Sequence, residues 1–460
     1  MNRIILLLLF GSTWLSVQAQ KEPFTEEQFM WYVTSFHPIA QQAKLVEKTA
    51  ENAVRSARGA FDPKLQGQLD QKYFDGKNYY QLVNAGLKVP TWYGIELKAG
   101  VDQNTGNYLN PQNTLPQNGL LYSGISVPLG KGLFIDQRRA TLKEAQLFVT
   151  YSKAQQQNIL NNLLFEATTG YWKWVEAWNQ LQVFETSLDL AQERFRAVKQ
   201  SFLQGDKPAI DTLEAFIQVQ NRSIQSNEIR LQYQNASMKL SNYLWLDNDV
   251  PLEITDSLVP PALRDTEELA IPNNTFQEEE LAAHPILQEY ALKLAQLDIE
   301  KQVKVEALKP KLNLNYNPIS EALGSGPVLS TENYKWGVAF SFPLFLRKER
   351  GDLNMTKIKL TETELALQQK TLELRNKVQA YFNEQETARK QILLFEDAVI
   401  NYRRMLQGEK TKFFNGESSL FLVNSRENKL IDAQLKYISL KSKYHIAVNG
   451  YHWAKGDLVK

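Results

Sequence analysis

"HPIAQQAKLVEKTAENAVRSARGAFDPKL", residues 37–65, returns as "HPILQEYALKLAQLDIEKQVKVEALKPKL", residues 284–312. Laid side by side without a gap, His37, Pro38, Ile39, Gln41, Leu45, Ala60, Pro63, Lys64 and Leu65 face identical residues at 284, 285, 286, 288, 292, 307, 310, 311 and 312. A recurrence at about half of a 460-residue chain predicts two related structural units.

Each copy reads as a helix stopped by proline. Residues 39–59 run up to "FDPKL" and 286–307 up to "LKPKL", where Pro63 and Pro310 lack the N–H that a helix would use next. Beyond each proline the apolar period changes to two, in "KLQGQLDQKYF" (64–74) and "KLNLNYN" (311–317), so each proline opens a strand. The strand regions end alike, in "YSGISVPL" (122–129) and "GVAFSFPL" (337–344). Between them "FDGKNYY", "VDQNTGNYLNPQNTLPQNG" and "NPISEALGSGP" are dense in Asn, Gly and Pro and read as exposed loops. The first unit also carries "YYQLVNAGLKVPTWYGIELKAG" (79–100), which has room for one extra hairpin, so a chain holds four strands or six.

Next come two helical runs of unusual length. Residues 134–202 contain one glycine, Gly170, and no proline, and 353–414 contain only Gly408. A helix of about 65 residues would be on the order of 100 Å long. Each run breaks at a glycine, in "SFLQGDKPAIDTLEA" (201–215) and "KFFNGESSLFLVNSR" (412–426), and a second helix follows, over 209–246 and 419–453. The organisation expected is a leader (1–19), a first repeat (20–249, strands 63–129, helical hairpin 134–246), a Pro- and acid-rich link (250–274), and a second repeat (275–460, strands 311–344, hairpin 350–453).

Composition excludes several classes. Lys+Arg 52 against Asp+Glu 51 gives +1, with no basic block to suggest nucleic acid. A mean hydropathy of −0.40 excludes a bundle of membrane-spanning helices. "MNRIILLLLFGSTWLSVQA" pairs Arg3 with an apolar run too short to span a bilayer and reads as a cleaved export signal. With no cysteine there is neither a disulfide framework nor a lipidated N-terminal thiol.

Strand number then constrains the architecture. A closed membrane barrel needs about eight strands, and an open edge in lipid leaves backbone N–H and C=O groups unpaired at several kcal/mol each. If these strands enter a membrane, several chains must share one barrel, and three chains of four strands give twelve. Aromatic residues in both strand regions, among them Tyr73, Trp92, Tyr122, Tyr334, Trp336 and Phe340, resemble interfacial girdles.

With the duplication, the "HPI…PKL" passages, the "SVPL" and "SFPL" exits into helices such as "QRRATLKEAQL", and glycine turns at 205 and 416, the chain resembles the TolC family of outer-membrane efflux proteins. The resemblance implies an α+β fold of mostly long helices, a homotrimer sharing one transmembrane β-barrel in outer-membrane lipid, and a periplasmic α-helical barrel. It also implies a passive duct for efflux or type I secretion, opened when a periplasmic adaptor and an inner-membrane pump dock. The docking tip would comprise Gln204, Gly205, Asp206, Asn415, Gly416 and Glu417. In well-known members the second turn carries an Arg and carboxylates six and nine residues past the glycine. Here those places hold Ser418, Leu422 and Ser425, while the first unit has Asp211 and Glu214 at the two carboxylate spacings. The gate candidates are therefore Asp211, Glu214, Phe413, Glu417, Leu422 and Ser425, with Glu417 the nearest replacement for the missing acids and equally readable as an acid at a helix start.

No catalytic, cofactor or metal motif stands out. His37 and His284 precede prolines at helix starts, Trp174 and Trp178 of "YWKWVEAW" share a helix face suited to packing, and Glu278–Glu280 read as a solvated face. The apolar series Leu353, Ile358, Leu360, Leu365, Leu367, Leu372 and Leu374 reads as packing between neighbouring rods. The alternative function is a soluble periplasmic coiled-coil adaptor or scaffold. The cargo, whether drug, metal ion or polypeptide, is not legible.

Overall fold

The computed structural model describes residues 23–255, 258–261, 263, 269, 281–321 and 332–459. The expected leader, most of the 250–274 link, Glu278–Glu280 and most of the "NPISEALGSGP" loop lie outside them. The chain divides into two compact units: a hairpin unit (Met1–Gln41, Leu160–Thr275, Lys377–Lys460) and a sheet unit (Gln42–Ile159, Phe276–Asn376).

The helices are α1 (Glu26–Phe36), α2 (Pro38–Gly59), α3 (Gln137–Leu203), α4 (Ala209–Ser241), α5 (Pro285–Glu306), α6 (Arg347–Phe414) and α7 (Leu420–Lys455). At 67 and 68 residues, α3 and α6 rise about 100 Å each. No described helix is long and apolar enough to cross a membrane. α1 was not foreseen, although its signal stands in the sequence: Thr25 and Gln28 form a capping box, each side chain satisfying the other's backbone N–H.

The repeated His-Pro-Ile is a capping device. His37 Nδ1 accepts the Ile39 N–H and His284 Nδ1 accepts the Ile286 N–H, both at 3.1 Å, with proline following where a first turn needs no donor. Only the unprotonated nitrogen can accept. Burial pushes the His37 pKa down from 6.5, partly opposed by the backbone of Asn242. The unfolded chain therefore binds this proton first. The cap's contribution is complete above about pH 6.5 and is lost as pH falls through the lowered folded value. Thermal melts at pH 7.5 and 5 should show this loss in the wild type, and less of it in His37→Asn, whose amide caps without titrating.

In the sheet unit, β1 (Lys64–Phe74), β2 (Lys77–Pro90), β3 (Glu96–Thr105), β4 (Leu120–Pro128), β7 (Lys311–Ser320) and β8 (Tyr334–Ser341) form one antiparallel sheet in the order β1-β2-β3-β4-β7-β8. A two-stranded ladder, β5 (Trp245–Leu246) with β6 (Val250–Pro251), lies in the hairpin unit. The chain thus has six strands in its main sheet, the extra hairpin being β2–β3. Two segments read as loop belong to it. Asp75 and Gly76, both at positive φ, make a two-residue turn of the hairpin-favoured kind. Val101–Thr105 pairs with residues 81–85, long-range pairing overriding the local Asn and Gly signal.

One face of this sheet is apolar and the other polar. Leu65, Leu87, Ala99 and Ser123 stand in register on the first face, as do Ile125, Tyr316 and Trp336. Along β3 the apolar-face residues Leu97, Ala99, Gln103 and Thr105 are exposed, while Glu96, Lys98, Gly100, Asp102 and Asn104 on the other face are half-buried. Tyr122 departs from the girdle expectation. It lies on the polar face over Gly86 and Gly100, where any side chain would collide with it, and its hydroxyl accepts from Asn84 Nδ2 at 3.2 Å.

The hairpin unit has its core where α1, α3 and α4 meet. Phe29, Val33, Tyr171, Trp174, Val175 and Leu240 are buried there. Trp174 Nε1 donates to Ser237 Oγ at 3.1 Å, and Trp178 packs on Tyr233 at 5.2 Å. Trp172 stacks on His445 at 3.7 Å and donates to Glu26. The aromatic run is core.

Candidate functional site

Both long helices end in the same motif. Gly205 N–H reaches Phe202 O and Asp206 N–H reaches Ser201 O, both at 3.0 Å; Gly416 N–H reaches Phe413 O at 3.1 Å and Glu417 N–H reaches Lys412 O at 2.8 Å. This is the Schellman closure, in which the residue after the helix takes positive φ, here +85° and +79°. A Cβ at either glycine would meet nothing, so any cost of substitution comes from φ alone. The next helices begin at Pro208, which offers no side-chain cap, and at Ser419, whose hydroxyl accepts the Leu422 N–H. Gln204, Gly205, Asp206, Asn415, Gly416 and Glu417 are all exposed, beside the exposed apolar side chains of Leu203, Phe414 and Phe421.

The gate candidates separate into two sets. Phe413 is half-buried against Val198, Ala215 and Leu420, and Lys207 of the first turn lies 4.6 Å over its ring. Glu214 accepts from Asn424 Nδ2 at 3.0 Å. These two therefore belong to the contact between the hairpins. Asp211 and Ser425 are half-buried, and Glu417 and Leu422 exposed. Ser418 donates to Glu409, and the Glu409 carboxyl is held low first by this bond and then by Arg426.

A bidentate ion pair escaped the sequence reading. Arg194 of α3 forks onto Glu427 of α7, Nη1 to Oε2 and Nη2 to Oε1, both 2.9 Å, and its Nη1 also reaches Asn424 Oδ1 at 2.8 Å. Arg222 of α4, 4% exposed, donates to Asn428 and, at 2.8 Å, to Gln225. Burial lowers the Arg222 pKa; Glu427 raises it and Arg194 lowers it further. A signal existed. Glu427 falls in the buried stripe Leu420, Val423, Leu430 of α7, and Arg222 in the stripe Ala215, Tyr233, Leu240 of α4. A charge in an apolar stripe needs a buried partner.

A second stripe on α4 has no cover. Ile210, Ile217, Ile224, Leu231 and Met238, seven apart, are all exposed. On α6 the series expected to pack as one splits. Leu353 and Leu374 are buried and Leu367 packs with Leu374, whereas Ile358, Leu365 and Leu372 are exposed. Five residues turn about 140° around a helix, so these are two stripes on different sides.

In the sheet unit, Lys64, Lys72, Lys88, Lys98, Lys311 and Lys335 stand on the polar face, with Asp70, Glu96 and Asp102. Among the described residues, no group of three His, Asp or Glu side chains comes together as a metal site.

Residues 277–450 match the family model for outer membrane efflux protein. No curated protein matches the chain. The outer membrane channel CmeC of Campylobacter jejuni is similar in structure at TM-score 0.66 and 15% identity, over 94% of this chain and 85% of that one. CusC, whose structures concern folding and transmembrane channel formation, gives 0.68 and 14% over 93% and 91%. The open-state MtrE outer membrane channel of Neisseria gonorrhoeae gives 0.66 and 14% over 94% and 88%. At these identities the structural likeness is one of fold. Residues 277–450 thus match the outer membrane efflux protein family, in a chain that shares the fold of channels such as CmeC and CusC.

Proposed function

We propose that the chain is one of three identical parts of a passive outer-membrane efflux duct. The observation that carries this reading is the sheet: its strand charges, Lys77 at the start of β2 apart, share one face, its other face is mostly apolar and ranges from half-buried to exposed, and among the described residues β1 and β8 are left without neighbours at its two edges. Lipid accepts such a sheet only when it is closed, so further copies must complete it. Since β1 and β8 run oppositely in the alternating sheet, β8 of one copy can continue antiparallel into β1 of the next.

Three copies would contribute eighteen strands rather than twelve. With strands ~4.8 Å apart and tilted ~40°, the barrel diameter rises from about 24 Å to about 36 Å. The uncovered stripes on α4 and α6 are the helical counterpart of the open edges, each offering a heptad seam to a neighbouring copy. The family match and the channel fold favour a duct over the soluble scaffold, and energy for transport would come from an inner-membrane pump joined by a periplasmic adaptor at the two glycine turns.

The test is fractionation. The mature protein should sediment with the outer membrane, run as a heat-sensitive trimer in mild detergent and conduct in a planar bilayer. A stable monomer in plain buffer overturns the reading.

Gating would be movement of the hairpins at the turns, because α3 and α6 break there. Cross-linking cysteines introduced at Asp206 and Glu417 should block export. Unchanged export with the cross-link confirmed refutes a moving gate at that place.

A further inference from the structure

We propose that the helix-side mouth of the barrel is a basic belt selecting negatively charged solutes, an inference that rests on the duct reading above. Lys64 pairs in register with Lys88, and Lys88 with Lys98, setting three like charges side by side across β1, β2 and β3 on the inward face. Like charges directly opposite destabilise a sheet, so the row opposes folding and calls for a counter-charge. The chain supplies little of it. Glu96 takes Lys88 at 2.7 Å and is shared with Arg138 at 2.5 Å, while Lys98 reaches the neutral Asn315 at 3.3 Å.

Lys311 begins β7, at the end of that strand next to its preceding helix, as Lys64 does for β1. The belt of each copy therefore sets Lys64, Lys88, Lys98 and Arg138 against Glu96, while Lys311 shares its pocket with Asp136, Glu306, Glu349 and Asp352, of which Asp136, Glu306 and Asp352 already hold Arg139, Lys309 and Lys348. The other two strand acids lie farther along: Asp70 within β1, and Asp102, which accepts from Asn84. Threefold repetition would turn the excess into a ring, and rings of one sign in a low-dielectric wall concentrate the opposite ion. Carboxylate- or phosphate-bearing solutes are the class such a mouth admits best.

The chain has no cysteine, so a single introduced thiol is the only target for a thiol reagent. Gln66 is on the inward face two residues from Lys64, and Leu65, 84% exposed, is on the outward face. Gln66→Cys in the full-length protein in liposomes is treated with anionic (sulfonatoethyl) and cationic (trimethylammonioethyl) methanethiosulfonates, with rates taken relative to a small free thiol. The two reagents differ by two charges, so a potential of one kT per unit charge shifts their ratio about sevenfold toward the anion.

That preference should shrink severalfold in Lys64→Gln/Lys98→Gln, which leaves the Lys88–Glu96 pair in place, and should collapse in 1 M salt. Gln66→Cys reacting in the free-thiol ratio, or faster with the cation, overturns the belt while leaving the duct standing. Equal reactivity at Leu65→Cys, which lipid should shield from both reagents, overturns the barrel and the belt with it.

Discussion

Replacing Glu427 by alanine should lower the stability of the hairpin unit by about 3–5 kcal/mol, the cost of stranding a buried charge whose partner is removed. Glu427 is 4% exposed and is, among the described residues, the carboxylate that takes the Arg194 fork, with Arg222 close enough to feel its charge. Its loss leaves the part-buried Arg194 guanidinium without its anion and the buried Arg222 with only the charge of Asp432. The melting temperature should fall on the order of 10 °C. Because the pair joins α3 of one hairpin to α7 of the other, the same variant should raise the leak conductance of the assembled channel.

Arg194→Met/Glu427→Leu removes both charges and should regain part of the lost stability, since a buried ion pair is replaceable by apolar groups of similar volume. The remainder stays lost, as Arg222 keeps its buried position. A Glu427→Ala protein that melts with the wild type would show that the network contributes nothing to the contact between hairpins.

The second large effect should come from side chains that contribute little to the fold of a single chain. Ile217 and Ile224 are exposed on α4, opposite its buried stripe, so Ile217→Lys/Ile224→Lys should leave the helical content of the chain unchanged. If the stripe is a seam between copies, each isoleucine forfeits about 2 kcal/mol of burial. Symmetry repeats the loss at all three interfaces, on the order of 10 kcal/mol in total. Light scattering in mild detergent should then report monomers in place of trimers. Intact trimers in the double variant would remove the seam from the interface.

The prolines, glycines and apolar periods of this chain determine its elements, because those signals act within a few residues: a missing N–H stops a helix, positive φ closes one, and a change of period from 3.6 to 2 turns helix into strand. The glycine turns at 205 and 416 and the strands opening at 64 and 311 were legible on these grounds. Strand number was not. Asp75-Gly76 was a hairpin signal read as loop, and Val101–Thr105 became strand through pairing with a segment whose position no local rule gives.

The tip divides in the same way. The place of Glu214 and Phe413 near the first and second turns was readable, but their inclusion in the contact between hairpins depends on Asn424 and Lys207, which only the folded chain brings near. Arg194 and Glu427 are far apart in sequence, and a bidentate ion pair has no sequence period by which to announce itself. Tertiary structure also decided which of two interleaved stripes on α4 and α6 is covered within the chain, since a heptad specifies that a face be buried without specifying whose surface buries it.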